Sequence, residues 1–253
     1  MSPTLPADDP LAIAVMDAIR AGKTAELKRI LAEHPTLAMT RLIANGDCAG
    51  QRTLLHVATD WPGHFPNVVA TIAALVDAGA DVNARFVGAH SETPLHWAAS
   101  SNDVAAIDAL LDAGADIEAP GAVIAGGSPL ADARGFGQWQ AAQRLIERGA
   151  QPSLTDAATL GLMDHLDVFL NRAVSQEQIT RAFWAACHGG QLRVAEVFLS
   201  RGADLNWIGH GNMTPLDVAV RPDAAKLVGQ HETARLIGWL QTQGAKTRQQ
   251  LAE

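Results

Sequence analysis

Histidine, tryptophan and carboxylate side chains are concentrated in two short stretches of the sequence. Carboxylates and imidazoles can transfer protons near neutral pH or bind a metal ion, and indole rings bind apolar or cationic groups. These stretches therefore contain the candidates for a catalytic or binding site. The candidate residues are Asp60, Trp61, His64, His90, Glu92 and Trp97.

The first stretch is a poor metal site in spite of its ligand types. Asp60 and His64 are four residues apart, a spacing that places two side chains on one face of a continuous helix. Pro62 and Gly63 lie between them and interrupt the helix. We therefore expect neither a metal ion nor another cofactor.

The two cysteines indicate neither nucleophilic chemistry nor a disulfide. Cys187 precedes His188, and adjacent residues on a helix point about 100° apart, so the thiol and the imidazole cannot share a proton. We expect Cys187 to be a buried core thiol. Cys48 lies in a turn-rich segment and is expected to be exposed, far in sequence from Cys187.

Composition excludes further classes of function. The chain has 27 acidic and 19 basic residues, and its net charge of -8 repels a phosphate backbone, so nucleic acid is not an expected partner. No apolar run approaches the roughly 20 residues that span a bilayer, and the N-terminus lacks a signal-peptide pattern. We therefore expect a cytoplasmic protein without a membrane partner. The sequence contains no glycine-rich phosphate loop and no nucleophile elbow.

Two similar segments indicate the elements that must position the candidate residues. Thr93–Ala98 and Thr214–Ala219 both begin with Thr-Pro-Leu, and each is followed later by a Gly-Ala pair. The Thr caps a helix, the Pro fits its first turn, and the Leu and Ala pack against a neighbour. The Gly ends a second helix in a conformation that other residues avoid. One unit is therefore predicted to contain two helices and an extended finger.

These segments resemble the ankyrin-repeat signature T-P-L-H-x-A. The spacing from the first residue of such a segment to the Gly is 21 residues in three places: Thr93–Gly114, Ser128–Gly149 and Arg181–Gly202. Five extra residues follow Thr53 and are predicted to form a loop, and nine extra residues follow Thr214, starting near Arg221. The second helix of the last unit is predicted at Thr233–Thr242. Degenerate helix pairs are predicted at 11–31 and 157–170, with residues 173–176 in place of a finger after the second.

The resemblance implies an all-α fold, an ankyrin-repeat solenoid of about seven helix pairs with short β-hairpin fingers. The whole chain, residues 1–253, is predicted to form a single domain, with an N-terminal cap at about 8–34 and a C-terminal cap at about 214–247. We expect a monomer.

The resemblance also implies which polar and aromatic residues serve the scaffold. His56 and His96 occupy the His position of the signature, where the side chain ties neighbouring repeats together. Trp184 occupies the same position and is predicted to be structural. Asp132 and Asp217 are predicted to form a local cap or a hydrogen bond between repeats.

Ligand contacts are expected on the fingertips and in the concave groove that ankyrin proteins use. Trp97 is open to either a structural or a ligand-contacting role, and Trp207 is expected to be exposed on a finger. The segment 60–66 has two interpretations: a ligand-binding surface, or an insertion held down by its own Trp and Phe. The predicted contact residues are Asp60, Trp61, His64, His90, Glu92, Trp97, Ser100, Phe136, His188, Trp207, His210 and Asn212.

The leading functional hypothesis is a non-catalytic scaffold that recognises a protein or peptide through the concave groove. The alternative is a small-molecule or catalytic site in the same groove, because His and Trp are denser there than a plain adaptor needs. Its residues would be Asp60, Trp61, His64, His90, Glu92, Trp97, Arg134 and His188. A purely structural spacer is a third possibility.

Overall fold

The computed structural model describes residues 3–44 and 50–253, so the predicted exposure of Cys48 lies outside the described residues. The chain forms two compact units, residues 1–150 and residues 151–253. No described helix is long and apolar enough to cross a membrane.

The first unit contains four helix pairs, in which the first helices pack in one row and the second helices in another. Its helices are α1 (Pro10–Arg20), α2 (Thr24–Glu33), α3 (Leu54–Thr59), α4 (Val68–Asp77), α5 (Pro94–Ser100), α6 (Val104–Asp112), α7 (Pro129–Gly135) and α8 (Trp139–Glu147). Helices α1, α3, α5 and α7 contact one another in that order, as do α2, α4, α6 and α8. Leu95, Ala98 and Ala99 are fully buried between these rows, so the Thr-Pro-Leu segments do supply the core.

A small sheet joins the start of the chain to the first finger. Strands β2 (Arg41–Ala44) and β3 (Gly50–Arg52) pair antiparallel, and β1 (Thr4–Pro6) adds in parallel to β2. A single bridge between Gln51 and Val87 continues the pairing to the next finger. The other fingers are turns and extended chain, without further named strands among the described residues. The predicted β-hairpin is therefore confined to the first finger.

The signature histidines have the structural role predicted for them. The Nδ1 atom of His56 lies 2.9 Å from the hydroxyl of Thr53, and the same contact joins His96 to Thr93. On the opposite side of each ring, Nε2 of His56 reaches the carbonyl of Glu92 at 3.2 Å, and Nε2 of His96 reaches that of Gly127 at 3.3 Å. Each imidazole therefore caps its own helix and binds the finger of the following repeat.

The second unit contains α9 (Leu154–Leu160), α10 (Met163–Leu170), α11 (Gln176–His188), α12 (Leu192–Ser200), α13 (Pro215–Ala219), α14 (Pro222–Val228) and α15 (Gln230–Thr242). Helices α9, α11 and α13 pack in a row. With α14 counted as an insertion, the described helices make the seven pairs that the sequence predicted. The extra residues after Arg221 form α14 because Pro222 begins a new helix.

Two boundaries in the second unit differ from the sequence prediction. Helix α11 begins at Gln176 rather than near Arg181, because Ser175 and Gln178 form a capping box one turn earlier. Helix α15 begins at Gln230, whereas the periodic pattern placed its start at Thr233.

Trp184, Cys187 and Asp217 agree with their structural predictions. Trp184 is 8% exposed and its indole N–H donates to the carbonyl of Met213 at 2.9 Å. Cys187 is buried, and burial raises the pKa of its thiol, so it is inert as a nucleophile. The Asp217 carboxylate accepts hydrogen bonds from the backbone N–H groups of Thr214 and Arg248, which fixes the start of α13 and the chain after α15.

Candidate functional site

In the first unit, three predicted contact residues meet around one carboxylate. Glu92 is 4% exposed, and its Oε2 atom lies 2.7 Å from Nδ1 of His90. The same oxygen accepts a hydrogen bond from the indole N–H of Trp97 at 2.9 Å. The sequence separated these residues by up to seven positions, and the turn from finger to α5 brings them together.

Phe86 fills the space beside this carboxylate. Its ring stacks on His90 with centroids 4.8 Å apart and lies 5.7 Å from the ring of Trp97. A Cβ atom added at Gly50 or at Gly88 would lie 2.3 Å from the Phe86 ring. The cluster is therefore close-packed, with a phenyl ring against the side chains of His90 and Trp97. Sequence reasoning missed Phe86, which carries no polar group to mark it.

Asp132 joins the cluster from the following repeat. It is fully buried, and its Oδ1 atom accepts a hydrogen bond from the backbone N–H of Ile124 at 3.1 Å. The neighbouring carboxyl group of Glu92 acts on Asp132 and raises its pKa. This arrangement is the contact between repeats that the sequence offered as one role for Asp132.

A proton shared by the two carboxyl groups accounts for this contact. Among the described residues no N–H or O–H group donates to Oδ2 of Asp132, so this oxygen can carry a proton. Burial, and then the neighbouring Glu92, raise the pKa of Asp132 to about 8. Asp132, which keeps its proton at neutral pH, can therefore donate to the carboxyl group of Glu92, whose Oε2 atom accepts from the indole N–H of Trp97.

The histidines beneath this pair are not suited to proton transfer at neutral pH. Burial lowers the pKa of His56 to about 3, and it also lowers the pKa of His96. Both rings are therefore neutral and engaged with backbone carbonyls. Within residues 3–44 and 50–253, no group of three or more His, Cys, Asp or Glu side chains is arranged to hold a metal ion.

The insertion at residues 60–66 is fixed through its backbone. The backbone N–H of His64 donates to Oδ2 of Asp103 at 2.7 Å, and a Cβ atom added at Gly63 would lie 2.8 Å from the side chain of Ser101. The Asp60 carboxylate pairs with Arg52 at 3.1 Å, and burial raises its pKa. The side chain of Trp61 plays no part in these contacts.

Trp61 and Phe136 are the exposed aromatic side chains of the predicted set. Trp61 is 78% exposed and Phe136 is 48% exposed. Each lies eight residues after the residue that caps its helix, Thr53 or Ser128, so the two occupy equivalent places in the second and fourth repeats. Ser100 lies between them in sequence, and its hydroxyl donates a hydrogen bond to the carbonyl of Trp97 at 3.0 Å.

In the second unit the predicted residues are not gathered around one point. His188 is 8% exposed and stacks on Trp184 with centroids 5.7 Å apart. Trp207 is half-buried rather than exposed, because the guanidinium of Arg181 lies over its ring at 5.7 Å. His210 and Asn212 are exposed in a short 3-10 turn, where the amide oxygen of Asn212 accepts a hydrogen bond from Nε of Arg248 at 3.4 Å.

Comparison with known proteins identifies the repeat. Residues 90–119 match the family model described as ankyrin repeat. Among solved structures, the human ASB11 ankyrin repeat domain is similar at 22% sequence identity, over 88% of this chain and 96% of that chain, with a TM-score of 0.49. No curated protein matches the sequence. The matched residues include His90, Glu92, Trp97 and the whole α5–α6 pair. The match confirms the resemblance that was based on the Thr-Pro-Leu-His segment.

Proposed function

We propose that this chain, an ankyrin-repeat protein, is a non-catalytic scaffold that binds a protein or peptide through the groove side of its repeats, with Trp61 as the main anchor. Ankyrin repeats generally mediate binding between proteins. The observation that carries the proposal is the 78% exposure of an indole on a loop whose backbone is tied to the neighbouring repeat.

An exposed tryptophan in a fixed position suits recognition. Burying apolar surface stabilises a complex by about 25 cal/mol per Å², and Trp is enriched among the residues that dominate binding energies. Because Asp103 and Ser101 already fix the loop, little conformational entropy is lost when a partner covers Trp61. Phe136, at the equivalent place two repeats later, extends the same apolar character along the array.

The buried cluster supports this function indirectly. Glu92 connects His56, His90, Trp97 and Asp132, which belong to three successive repeats and the fingers between them. A finger held by this many buried contacts presents a rigid surface to a partner. The same contacts argue against a catalytic role, since the imidazoles of His56 and His96 are neutral and fully packed.

The experiment compares two variants of the first unit. A partner recovered by quantitative pull-down with the full chain is titrated by calorimetry against wild type, Trp61→Ala and Val69→Ala. We expect Trp61→Ala to weaken binding by at least about 1 kcal/mol, roughly fivefold in Kd. Val69 is a matched control because it is also apolar and 54% exposed, but it lies on α4.

Circular dichroism must show unchanged helix content for both variants. If Trp61→Ala binds like wild type while Val69→Ala binds poorly, the partner uses the row of second helices and the proposal is wrong.

A further inference from the structure

The connection between α10 and α11 is much shorter than the next finger of the same unit. Helix α10 ends at Leu170 and α11 begins at Gln176, whereas α12 ends at Ser200 and α13 begins only at Pro215. The early capping box at Ser175 removes the residues that would form a finger. A cavity of about 420 Å³ lies at this place, bordered by the starts of α9 and α11 and by residues 172–174.

Much of the lining of this cavity is apolar. Leu154, Phe169, Ala173 and Val174 contribute to it. Leu154 and Phe169 are only partly buried, and each packs against the core of the unit on its inner side. A cavity of this size with an apolar lining is within the range of sites that bind small molecules.

Hydrogen-bond donors border the apolar lining. Arg181 donates through Nε and Nη2 to Glu177 at 2.9 Å and 2.8 Å, and its position over Trp207 holds the guanidinium in place. Its Nη1 atom has no partner among the described residues, and Arg172 has no carboxylate partner there either. The hydroxyl of Thr155 is likewise not engaged within the described part of the chain.

The charge of the lining is positive although the chain carries a net charge of -8. Arg172 and Arg181 line the cavity, and no Asp or Glu is among its lining residues. Glu177, which pairs with Arg181 from outside the lining, offsets one of these positive charges and leaves that of Arg172. Guanidinium groups bind carboxylates through paired, charge-assisted hydrogen bonds. A neutral apolar ligand would gain nothing from these exposed guanidinium groups, and a simple inorganic anion would leave the apolar surface uncovered.

We infer that the cavity between α9 and α11 binds a small organic carboxylate. Its apolar body would rest on Leu154, Phe169 and Val174, and its carboxylate would pair with Arg172 and the free edge of Arg181. This site uses none of the residues of the proposed protein-binding face, so the two proposals are independent and can be tested separately.

The test uses 3-phenylpropionate as the probe and its neutral analogue 3-phenylpropionamide as the comparison, both titrated calorimetrically into the full chain at low ionic strength. We expect the carboxylate to bind at least about tenfold more tightly than the amide, because only the carboxylate accepts from both guanidinium groups. Arg172→Gln should weaken binding of the carboxylate by about five- to tenfold and leave the amide unaffected.

Two further variants locate the site. Arg193→Gln removes an exposed arginine of α12 that does not line the cavity, and it should bind the carboxylate like wild type. Val174→Asp places a negative charge in the cavity and should abolish carboxylate binding while the melting temperature stays near that of wild type. Equal affinity for the acid and the amide, equal loss in Arg172→Gln and Arg193→Gln, or the absence of binding to wild type would each overturn the inference.

Discussion

Replacing Asp132 by Asn tests whether the buried carboxyl pair holds a proton. The amide has nearly the shape of the carboxyl group, its oxygen can accept from the N–H of Ile124, and its NH₂ can donate to Glu92 in place of the shared proton. The variant should therefore fold normally. It differs from wild type in that it cannot ionise, so its stability lacks the pH dependence that Asp132 contributes.

The sign of that dependence follows from the raised pKa of Asp132. The folded state keeps the proton up to about pH 8, whereas the unfolded chain releases it near its ordinary pKa of 3.8. Between these values the folded state binds more protons, so the free energy of unfolding falls as pH rises, by up to about 1.4 kcal/mol per pH unit. The stabilising effect is complete at acid pH and is lost as pH rises through the folded pKa.

The histidines define the useful pH window. His56, with its folded pKa lowered to about 3, acts in the opposite sense: the unfolded chain takes up a proton below its ordinary value of 6.5, so stability falls as the solution is acidified. Below neutral pH the two slopes oppose each other. Between about pH 7 and 8 His56 and His96 are neutral in the folded state and mostly neutral in the unfolded chain, so their slopes are small beside that of Asp132.

Urea melts followed by circular dichroism at several pH values in that window supply the measurement. The free energy of unfolding of wild type should fall by about 1 kcal/mol from pH 7 to 8, whereas that of Asp132→Asn should not change. The variant should therefore become more stable relative to wild type as pH rises. Asp217→Asn is the matched control, since it makes the same Asp-to-Asn change at a capping site and should keep the wild-type slope. If wild type and Asp132→Asn have parallel profiles, the pair does not share a proton and the reasoning fails.

Two further predictions concern the repeat scaffold. Leu95→Ala should cost about 2–5 kcal/mol in a urea melt, because Leu95 is fully buried between helix rows and its removal leaves a cavity; a loss below about 0.5 kcal/mol would contradict that packing. Gly114→Ala should cost about 1 kcal/mol through its φ of +92° alone, since no atom lies within 4 Å of an added Cβ. The matched change Gly238→Ala, in the equally open middle of α15, should stabilise by up to about 1 kcal/mol, and destabilisation there would refute the conformational explanation.

The helix pairs could be predicted from sequence because their signals are local. A Thr-Pro start and a Gly end fix backbone conformation within a few residues, so counting from Thr93 to Gly114 located both helices of a repeat. The predicted helix boundaries were wrong where a second local signal competed with the repeat spacing. Ser175 and Gln178 begin α11 one turn before the position that the repeat spacing favoured, and this shift is also what leaves the cavity beside α9.

The candidate site could be predicted only in part because its contacts join distant positions. Glu92 and Asp132 are 40 residues apart, and nothing in either local sequence indicates that the two carboxyl groups meet. Trp97, His90 and Glu92 were selected for their chemistry, and the structure does bring them together, but Phe86 turns the group into a packed cluster.

A dense set of His, Trp and acidic side chains has a physical reason in a repeat array that needs no ligand. Each repeat is thin, so the polar backbone of a finger must find partners in the next repeat, and imidazole, indole and carboxyl groups reach that far. His56 and His96 do this for two successive fingers, through the carbonyls of Glu92 and Gly127. Ionisable side chains in this array therefore indicate contacts between successive repeats. An exposed side chain without an internal partner indicates a surface that is available for binding. The side chain of Trp61 is exposed and forms none of the contacts that hold its loop. It is therefore a better indicator of function than the histidines around it.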